Sequence, residues 1–474
     1  MAMEIPVSLK LSSPIFHIVA MPHAGQSHIN AMINLCNILA SKKPHNNNLL
    51  ITFVLTEDRL SQFNNFISNT IRFESIPDVL PPESVRSTNF KVFFDAVLTK
   101  MEAPFEQLLD QLQPPATLIM ADFVLKWMPD LGTRRNIPVV SFFSMSATFF
   151  SVLLYQNEHY PLDISENGDE IVDNIPGVSS FRRKDLPTLT VGDSSIFNEI
   201  MDAISSISRA QYLIFGTIYE FDPRVVDILR TRFSFPIYTI GPVIPYMNLQ
   251  DHHNSSSSIA TTSAIYDDET DYFTWLDRQP IDSVLYISFG SFLSVSGVQM
   301  QEFAAGLAQS GVKFLWVARK EVALLKESFH DNDKALDSGL IVSWCDQLKV
   351  LCHPSVGGFW SHCGWNSVQE GAFAGLPFLT FPIAFDQHCN SKLIVEDWKT
   401  GLNLKKNVGA DNLVGKEEIA KIVKEFMDLE RDEGKQMRKR AKELQKICQL
   451  AIAKDGSLEI NIKTFFDDIS YQVI

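Results

Sequence analysis

The chain reads as an α/β protein made of two doubly wound parallel-sheet domains facing each other across a cleft. Three observations predict this. Short apolar runs alternate with amphipathic helical stretches, the rhythm of βα units in a parallel sheet, and that rhythm stops and then restarts. Between the two series lies DHHNSSSSIATTSAIYDDETD, poor in large apolar side chains and rich in Ser, Thr and Asp, which reads as a linker. A length of 474 residues exceeds one core and suits two ordinary domains. The expected divisions are 1–245, a linker over 246–272, a second domain over 273–455, and a closing helix over 456–474.

In the first domain, Ile15 to Met21 form strand one and end in the turn Pro-His-Ala-Gly-Gln-Ser. A helix from about His28 to Ser41 carries Ile29, Met32, Ile33, Cys36 and Leu39 at helical spacing. Leu49 to Leu55 predict a second strand, and Phe90 to Leu112 one long amphipathic helix. Thr117 to Ala121, Pro138 to Phe143 and Tyr212 to Phe215 supply further strands, and residues 237–245 close this half. In the second domain Val284 to Ser288 is a strand and Val298 to Gln309 a helix. Phe314 to Ala318 and Leu340 to Ser343 are strands. From Lys416 to Lys454 charges alternate on helical faces around a buried stripe of Ile419, Ile422, Val423 and Phe426.

Composition narrows the function classes. With 45% hydrophobic residues and 34 phenylalanines, there is material for large cores and an apolar pocket. A formal charge of −15 argues against nucleic acid or an anionic membrane as partner. The six cysteines form no CxxC pair or zinc-like spacing, which suits reduced thiols in the cytosol. The N-terminus has no apolar stretch of signal-peptide length, and no run approaches the roughly 18 apolar residues of a membrane span. A cytoplasmic monomer is expected.

The most informative stretch is WCDQLKVLCHPSVGGFWSHCGWNSVQEGAFAGLPFLTFPIAFDQ, from Trp344 to Gln387. It holds two strand-to-helix corners. Val356 to Phe359 lead into the polar cluster His362 to Ser367, and Gln369 to Phe373 continue as a helix. A helix opening after a buried strand offers unpaired N–H groups and a positive dipole end, which suit a phosphate. Gly364 lets the backbone approach closely, and Asn366 and Ser367 can donate to phosphate oxygens. The second corner runs from Pro377 to Pro382, and Asp386-Gln387 then starts a helix. A carboxylate beside an amide suits the hydroxyls of a sugar. These parts describe a nucleotide-sugar site.

The same stretch resembles, along its whole length, the signature box of plant UDP-dependent glycosyltransferases, which attach sugars to small hydrophobic metabolites. That resemblance implies the GT-B arrangement of two Rossmann-like domains. It implies that Trp344 stacks on uracil, with Cys345 in the same turn and Gln347 at the ribose. It places His362 at the diphosphate, Trp365, Asn366 and Ser367 around the phosphates and sugar, Glu370 on the ribose hydroxyls, and Asp386 and Gln387 on the sugar. Asp346 stands where most of the family has proline. Ser291, in the SFGS turn after Val284–Ser288, is a further phosphate candidate.

Sugar transfer to a hydroxyl needs a base. His28 follows strand one and Asp122 follows Thr117–Ala121, both at carboxyl ends where ligands bind in open α/β sheets. An imidazole titrates near neutrality, and a carboxylate beside it fixes its tautomer. PHAGQSHINAMINL resembles the family's first-strand loop, in which the histidine before Ile-Asn is the base, and LIMADF resembles the segment carrying its aspartate. His23 is a rival base in the same turn. Ser27 replaces the usual glycine and Ala31 a proline, which bears on acceptor choice.

The expected activity is inverting transfer of glucose from UDP-glucose, since Gln387 stands where a histidine often accompanies galactose use. The expected acceptor is a flavonoid, terpenoid or other phenol, received in an apolar pocket of Gln26, Phe123, Phe143, Phe149 and Phe385, with Phe142, Met145 and Phe150 nearby. Neither metal nor cofactor is expected, because the helix N-terminus and His362 would neutralise the diphosphate. A nicotinamide dehydrogenase would need G-x-G-x-x-G after strand one, absent from Pro22–His28. The alternative is a catalytically impaired UDP-sugar-binding protein, hinted at by Ser27.

Overall fold

The computed structural model describes residues 15–43, 48–61, 70–82, 86, 89–159, 170–182, 186, 194–249, 271–290, 295–318, 325, 339–405 and 413–470. The first sheet comprises β1 (Ile15–Met21), β2 (Asn48–Thr56), β3 (Ile71–Ile76), β4 (Leu118–Asp122) and β5 (Val139–Phe143), with a separate hairpin of β6 (Ile171–Val172) and β7 (Phe181–Arg182). It is completed by β8 (Tyr212–Phe215) and β9 (Ile237–Thr239). Its order is β3-β2-β1-β4-β5-β8-β9, with parallel pairing throughout. The second sheet comprises β10 (Val284–Ser288), β11 (Lys313–Val317), β12 (Gly339–Val342), β13 (Val356–Ser361), β14 (Phe378–Thr380) and β15 (Gly401–Asn403). It runs β12-β11-β10-β13-β14-β15, also parallel.

Both sheets are doubly wound. Strand order reverses between β1 and β4 and again between β10 and β13, and a reversal opens a crevice at the strands' carboxyl ends. The apolar runs explain the strands: Val19, Ala20 and Met21 in β1 and Val284, Leu285 and Ile287 in β10 have no exposed surface. A parallel sheet covered on both faces demands such continuous runs. Ile71–Ile76 escaped the sequence reading because Arg72, Glu74 and Ser75 interrupt its apolar pattern.

The helices that position the site are α1 (Gln26–Ser41), α2 (Phe90–Lys100), α3 (Glu102–Gln111), α4 (Trp365–Ala374), α5 (Gln387–Lys392) and α6 (Ser457–Ser470). Two expectations need correction. The single helix expected over Phe90–Leu112 is α2 and α3, broken at Met101, because Pro104 lacks an N–H and its ring would collide with the Lys100 carbonyl of a continuous helix. The helix expected to begin near His28 begins at Gln26, so His28 lies within its first turn. The charged stretch after Lys416 is likewise two helices, Lys416–Met427 and Asp432–Ile452.

Helix α6 returns to the first sheet. The Phe465 ring lies 5.3 Å from Tyr238 and 6.3 Å from Tyr212, and Asn461 Oδ1 accepts the Thr239 N–H at 3.2 Å. Most of the expected linker lies outside the described residues. Its start, Tyr246–Leu249, is a short 3₁₀ turn, and its last residue, Tyr272, opens a helix.

Candidate active site

At the first crevice, β1 and β4 are neighbours, with Met21 opposite Ala121. His28 from α1 and Asp122 from the end of β4 therefore meet. His28 Nδ1 lies 2.7 Å from Asp122 Oδ2, and the carboxylate, which only accepts, requires the proton on Nδ1. Asp122 is fixed in turn by the Val124 N–H on Oδ1 at 3.1 Å. Burial opposes the charged form of His28, but the adjacent Asp122 carboxylate, helped by Asp386, outweighs it and raises the imidazole above its ordinary value. Burial likewise opposes ionisation of Asp122, and the His28 partner holds it low. Ser144 Oγ lies 3.4 Å from the same Nδ1, a neighbour the sequence reading missed.

At the second crevice, β10 and β13 bring Ser288 opposite Ser361, and His362 follows. A Cβ on Gly290 would lie 2.7 Å from His362 Nε2, and one on Gly364 would lie 2.6 Å from it. Two missing side chains thus make the slot for this imidazole. Burial pushes its pKa down to about 4, partly offset by the Ser288 carbonyl. Burial therefore favours the neutral form of the His362 imidazole. Cys363 and Phe385, at φ 69° and 56°, turn the chain into α4 and α5. Left-handed non-glycine residues cluster at ligand corners because the surrounding structure must force them.

Helix α4 starts at Trp365, so Asn366 and Ser367 belong to its first turn. Trp365 itself points away. Its indole is 3% exposed and packs on Phe221 at 5.9 Å and Trp398 at 6.5 Å, while its backbone N–H faces the Asp386 carboxylate. A residue at a helix start aims its N–H along the axis and its side chain sideways, so only the backbone reaches the crevice.

A polar chain links the remaining box residues. Tyr286 O–H donates to Gln347 Oε1 at 3.0 Å and stands 3.4 Å from Cys345 Sγ. Gln347 Nε2 donates to Ser367 Oγ at 3.1 Å and to Glu370. Burial pushes the Glu370 carboxyl up to about 7 and the Asp386 carboxyl up to about 6. Asn390, one turn further along α5, donates to Asp386 Oδ2 at 2.6 Å and to the Cys363 carbonyl at 2.9 Å. Gln387 Oε1 accepts the N–H groups of Ile383 and Ala384, which fixes its carboxamide. Trp344 is half-buried, and Ser291 lies outside the described residues.

The two crevices face each other. Asn366 Nδ2 donates to the Ser27 carbonyl at 2.9 Å, joining the donor helix to the base helix. Phe385 meets Phe90 at 5.9 Å. Of the expected acceptor residues, Phe385 stands at this junction, and Gln26 is half-buried with its amide on Asn30. Phe123, Phe143 and Phe149 are at most 3% exposed and pack in the core behind β5. Phe90, outside that expected set, faces Phe385 at the junction, while its neighbour Phe94 is 2% exposed and belongs to the same core.

Residues 259–429 match the family model of UDP-glucoronosyl and UDP-glucosyl transferases. UDP-glycosyltransferase 87A1 of Arabidopsis thaliana is 45% identical, over 95% of this chain and 99% of that protein. The chain belongs to the UDP-glycosyltransferases. Its fold is similar to that of Medicago truncatula UGT71G1 complexed with UDP-glucose, at a TM-score of 0.81 and 25% identity, over 96% of this chain and 98% of the other. It is also similar to Phytolacca americana UGT2 complexed with UDP-2fluoro-glucose and pterostilbene, at 0.77 and 25%, over 96% and 99%. This UDP-glycosyltransferase thus has the two-domain GT-B fold, and it is a transferase that uses a UDP-sugar. Among its described residues no helix is long and apolar enough to cross a membrane.

Proposed function

We propose that this UDP-glycosyltransferase transfers glucose from UDP-glucose, with inversion, to a hydroxyl or carboxyl of a small hydrophobic metabolite such as a flavonoid, terpenoid or other phenol. The observation that carries the reading is the His28–Asp122 pair at 2.7 Å, on the opposite lobe from the sugar-nucleotide box and close enough to Asp386 to feel its charge. With Nδ1–H engaged by Asp122, His28 presents its Nε2 lone pair to the cleft. It takes the acceptor proton as the acceptor oxygen forms its bond to the anomeric carbon. The bond from that carbon to the diphosphate breaks, and UDP leaves with the electron pair. Attack from the face opposite UDP inverts the centre.

A retaining double displacement would need a carboxylate nucleophile, and the two candidates Asp386 and Glu370 are engaged otherwise, with Asn390 and with Gln347. Asp386 and Gln387 are read as sugar ligands, Glu370 and Gln347 as ribose ligands, and the α4 N-terminus with His362, Asn366 and Ser367 as the diphosphate cradle. Trp344 is read as the uracil platform. Transfer is read as metal-independent, with the N–H groups of the α4 start facing the diphosphate charge. The six free cysteines suit the reducing cytosol, and the enzyme is read as a monomer there. The intact base pair speaks for catalysis over an impaired binding protein.

His28→Ala is expected to abolish turnover, by on the order of 10²–10⁴-fold or more, while UDP binds unchanged by calorimetry. Turnover equal to the parent would refute the assignment. Nuclear magnetic resonance of the product should show the β-glucoside.

A further inference from the structure

Beside the base stands a second imidazole that sugar transfer leaves unused. The His23 and His28 rings lie 4.8 Å apart, tilted by 58°. His23 is a poor base, because its Nδ1 lone pair already accepts the Gly25 N–H and burial, with His28 close by, pushes its pKa down to about 3. Its tautomer is set as well, because the Gly25 N–H donates to Nδ1 at 3.0 Å and leaves the ring proton on Nε2. That Nε2–H is buried and finds no hydrogen-bond partner among the described residues, in a side chain belonging to a residue 5% exposed. Native folds seldom leave a buried donor orphaned without a use.

The ring's surroundings point to the use. Phe93 and Phe94 flank it at 5.5 and 6.1 Å. Phe94 continues to Phe90 at 5.5 Å, and Phe90 meets Phe385 of the other lobe. A chain of ring contacts therefore runs from His23 through the buried Phe94 to Phe90 and the junction of the lobes. We propose that His23 determines acceptor specificity by donating its Nε2–H to an oxygen adjacent to the hydroxyl under attack, so that acceptors with two vicinal oxygens, such as catechols, are favoured over simple phenols. This rests on the transfer reading above. His28 takes the proton from one oxygen while His23 holds the other, and no proton passes through His23. Among the described residues the donor has no partner, so a second oxygen that reaches it gains a bond. A simple phenol leaves the donor as it was.

The test compares catechol with phenol as acceptors for UDP-glucose in the parent chain and in His23→Phe, which keeps an aromatic ring and removes both nitrogens. The parent should favour catechol by ~10–100-fold in kcat/KM, and His23→Phe should bring that ratio near unity with phenol turnover close to the parent's. A catechol preference that survives in His23→Phe overturns the proposal. So does an equal loss on both acceptors when circular dichroism and UDP binding are unchanged. Should His23→Phe not fold, the parent decides alone: the His23 Nε2 nitrogen resonance should move on adding catechol to the UDP-saturated protein and not on adding phenol. No difference between the two overturns the proposal. If that resonance moves while no sugar is transferred to any acceptor, the transfer reading fails and the His23 assignment stands.

Discussion

The fold moves the charge states of His28 and Glu370 in directions that bear on function. Because Asp122 stabilises the imidazolium, the folded pKa of His28 lies above 6.5, and only the neutral form can accept a proton. The acid limb of kcat/KM should therefore lie above pH 6.5, with rate rising as pH rises. Asp122→Asn removes the stabilising charge, so its limb should move to lower pH while kcat falls on the order of 10²-fold or more. A limb that stays in place would count against the pairing. Glu370, raised to about 7 by burial, gains charge between pH 6 and 8, and only its ionised form is a pure acceptor for ribose hydroxyls. UDP affinity should rise over that interval, and Glu370→Gln should flatten the rise, leaving the part due to the diphosphate and Asp386. Equal pH slopes by calorimetry in the two proteins would exclude Glu370.

The decisive elements are the two strand-to-helix corners of the box, β13 into α4 and β14 into α5. Each places a helix start beyond a strand's carboxyl end, and each turns through a left-handed residue, Cys363 or Phe385. At the first the fit is tightest, since Gly290, at φ 81°, and Gly364 both leave room for His362. Gly364→Ala would push a Cβ to 2.6 Å from Nε2, and the imidazole must move. The expected result is a UDP dissociation constant raised at least ~10-fold, with a stability loss of about 1–3 kcal/mol in chemical denaturation. An unchanged dissociation constant would show that His362 does not touch the diphosphate. The strand-to-helix pattern of these corners was legible in sequence. The left-handed turns at Cys363 and Phe385 were not, because neither residue type favours that conformation and only the surrounding packing imposes it.

At the scale of the whole molecule, catalysis depends on holding two independently folded crevices in register. Three cross-lobe contacts do so near the site: Asn366 to the Ser27 carbonyl, Gln369 Oε1 to the Val243 N–H at 3.3 Å, and Phe385 on Phe90. Further out, α6 straps the chain's end onto β8 and β9 through Ile462, Phe465 and Asn461. Phe465 has no exposed surface, and Phe465→Ala should destabilise the first domain by about 3–5 kcal/mol. Thermal or chemical unfolding should show the loss, with UDP affinity at low temperature little changed. A loss of UDP affinity without loss of stability would mean that the strap governs the site more than the fold.

Local order was enough to reveal the repeated βα rhythm, the nucleotide-sugar box, and the pairing of His28 with Asp122 beyond neighbouring strands. These depend on periodicity and chain position, which a sequence states directly. Which way a side chain faces depends on neighbours far away in the chain. Phe143, at the end of β5, and Phe149, just beyond it, are as apolar as Phe90, yet they fill the core while Phe90 meets the opposite lobe. Trp365 turned its ring inward for the same reason. The orphaned proton of His23 is likewise a product of tertiary packing, because only burial deprives a donor of water.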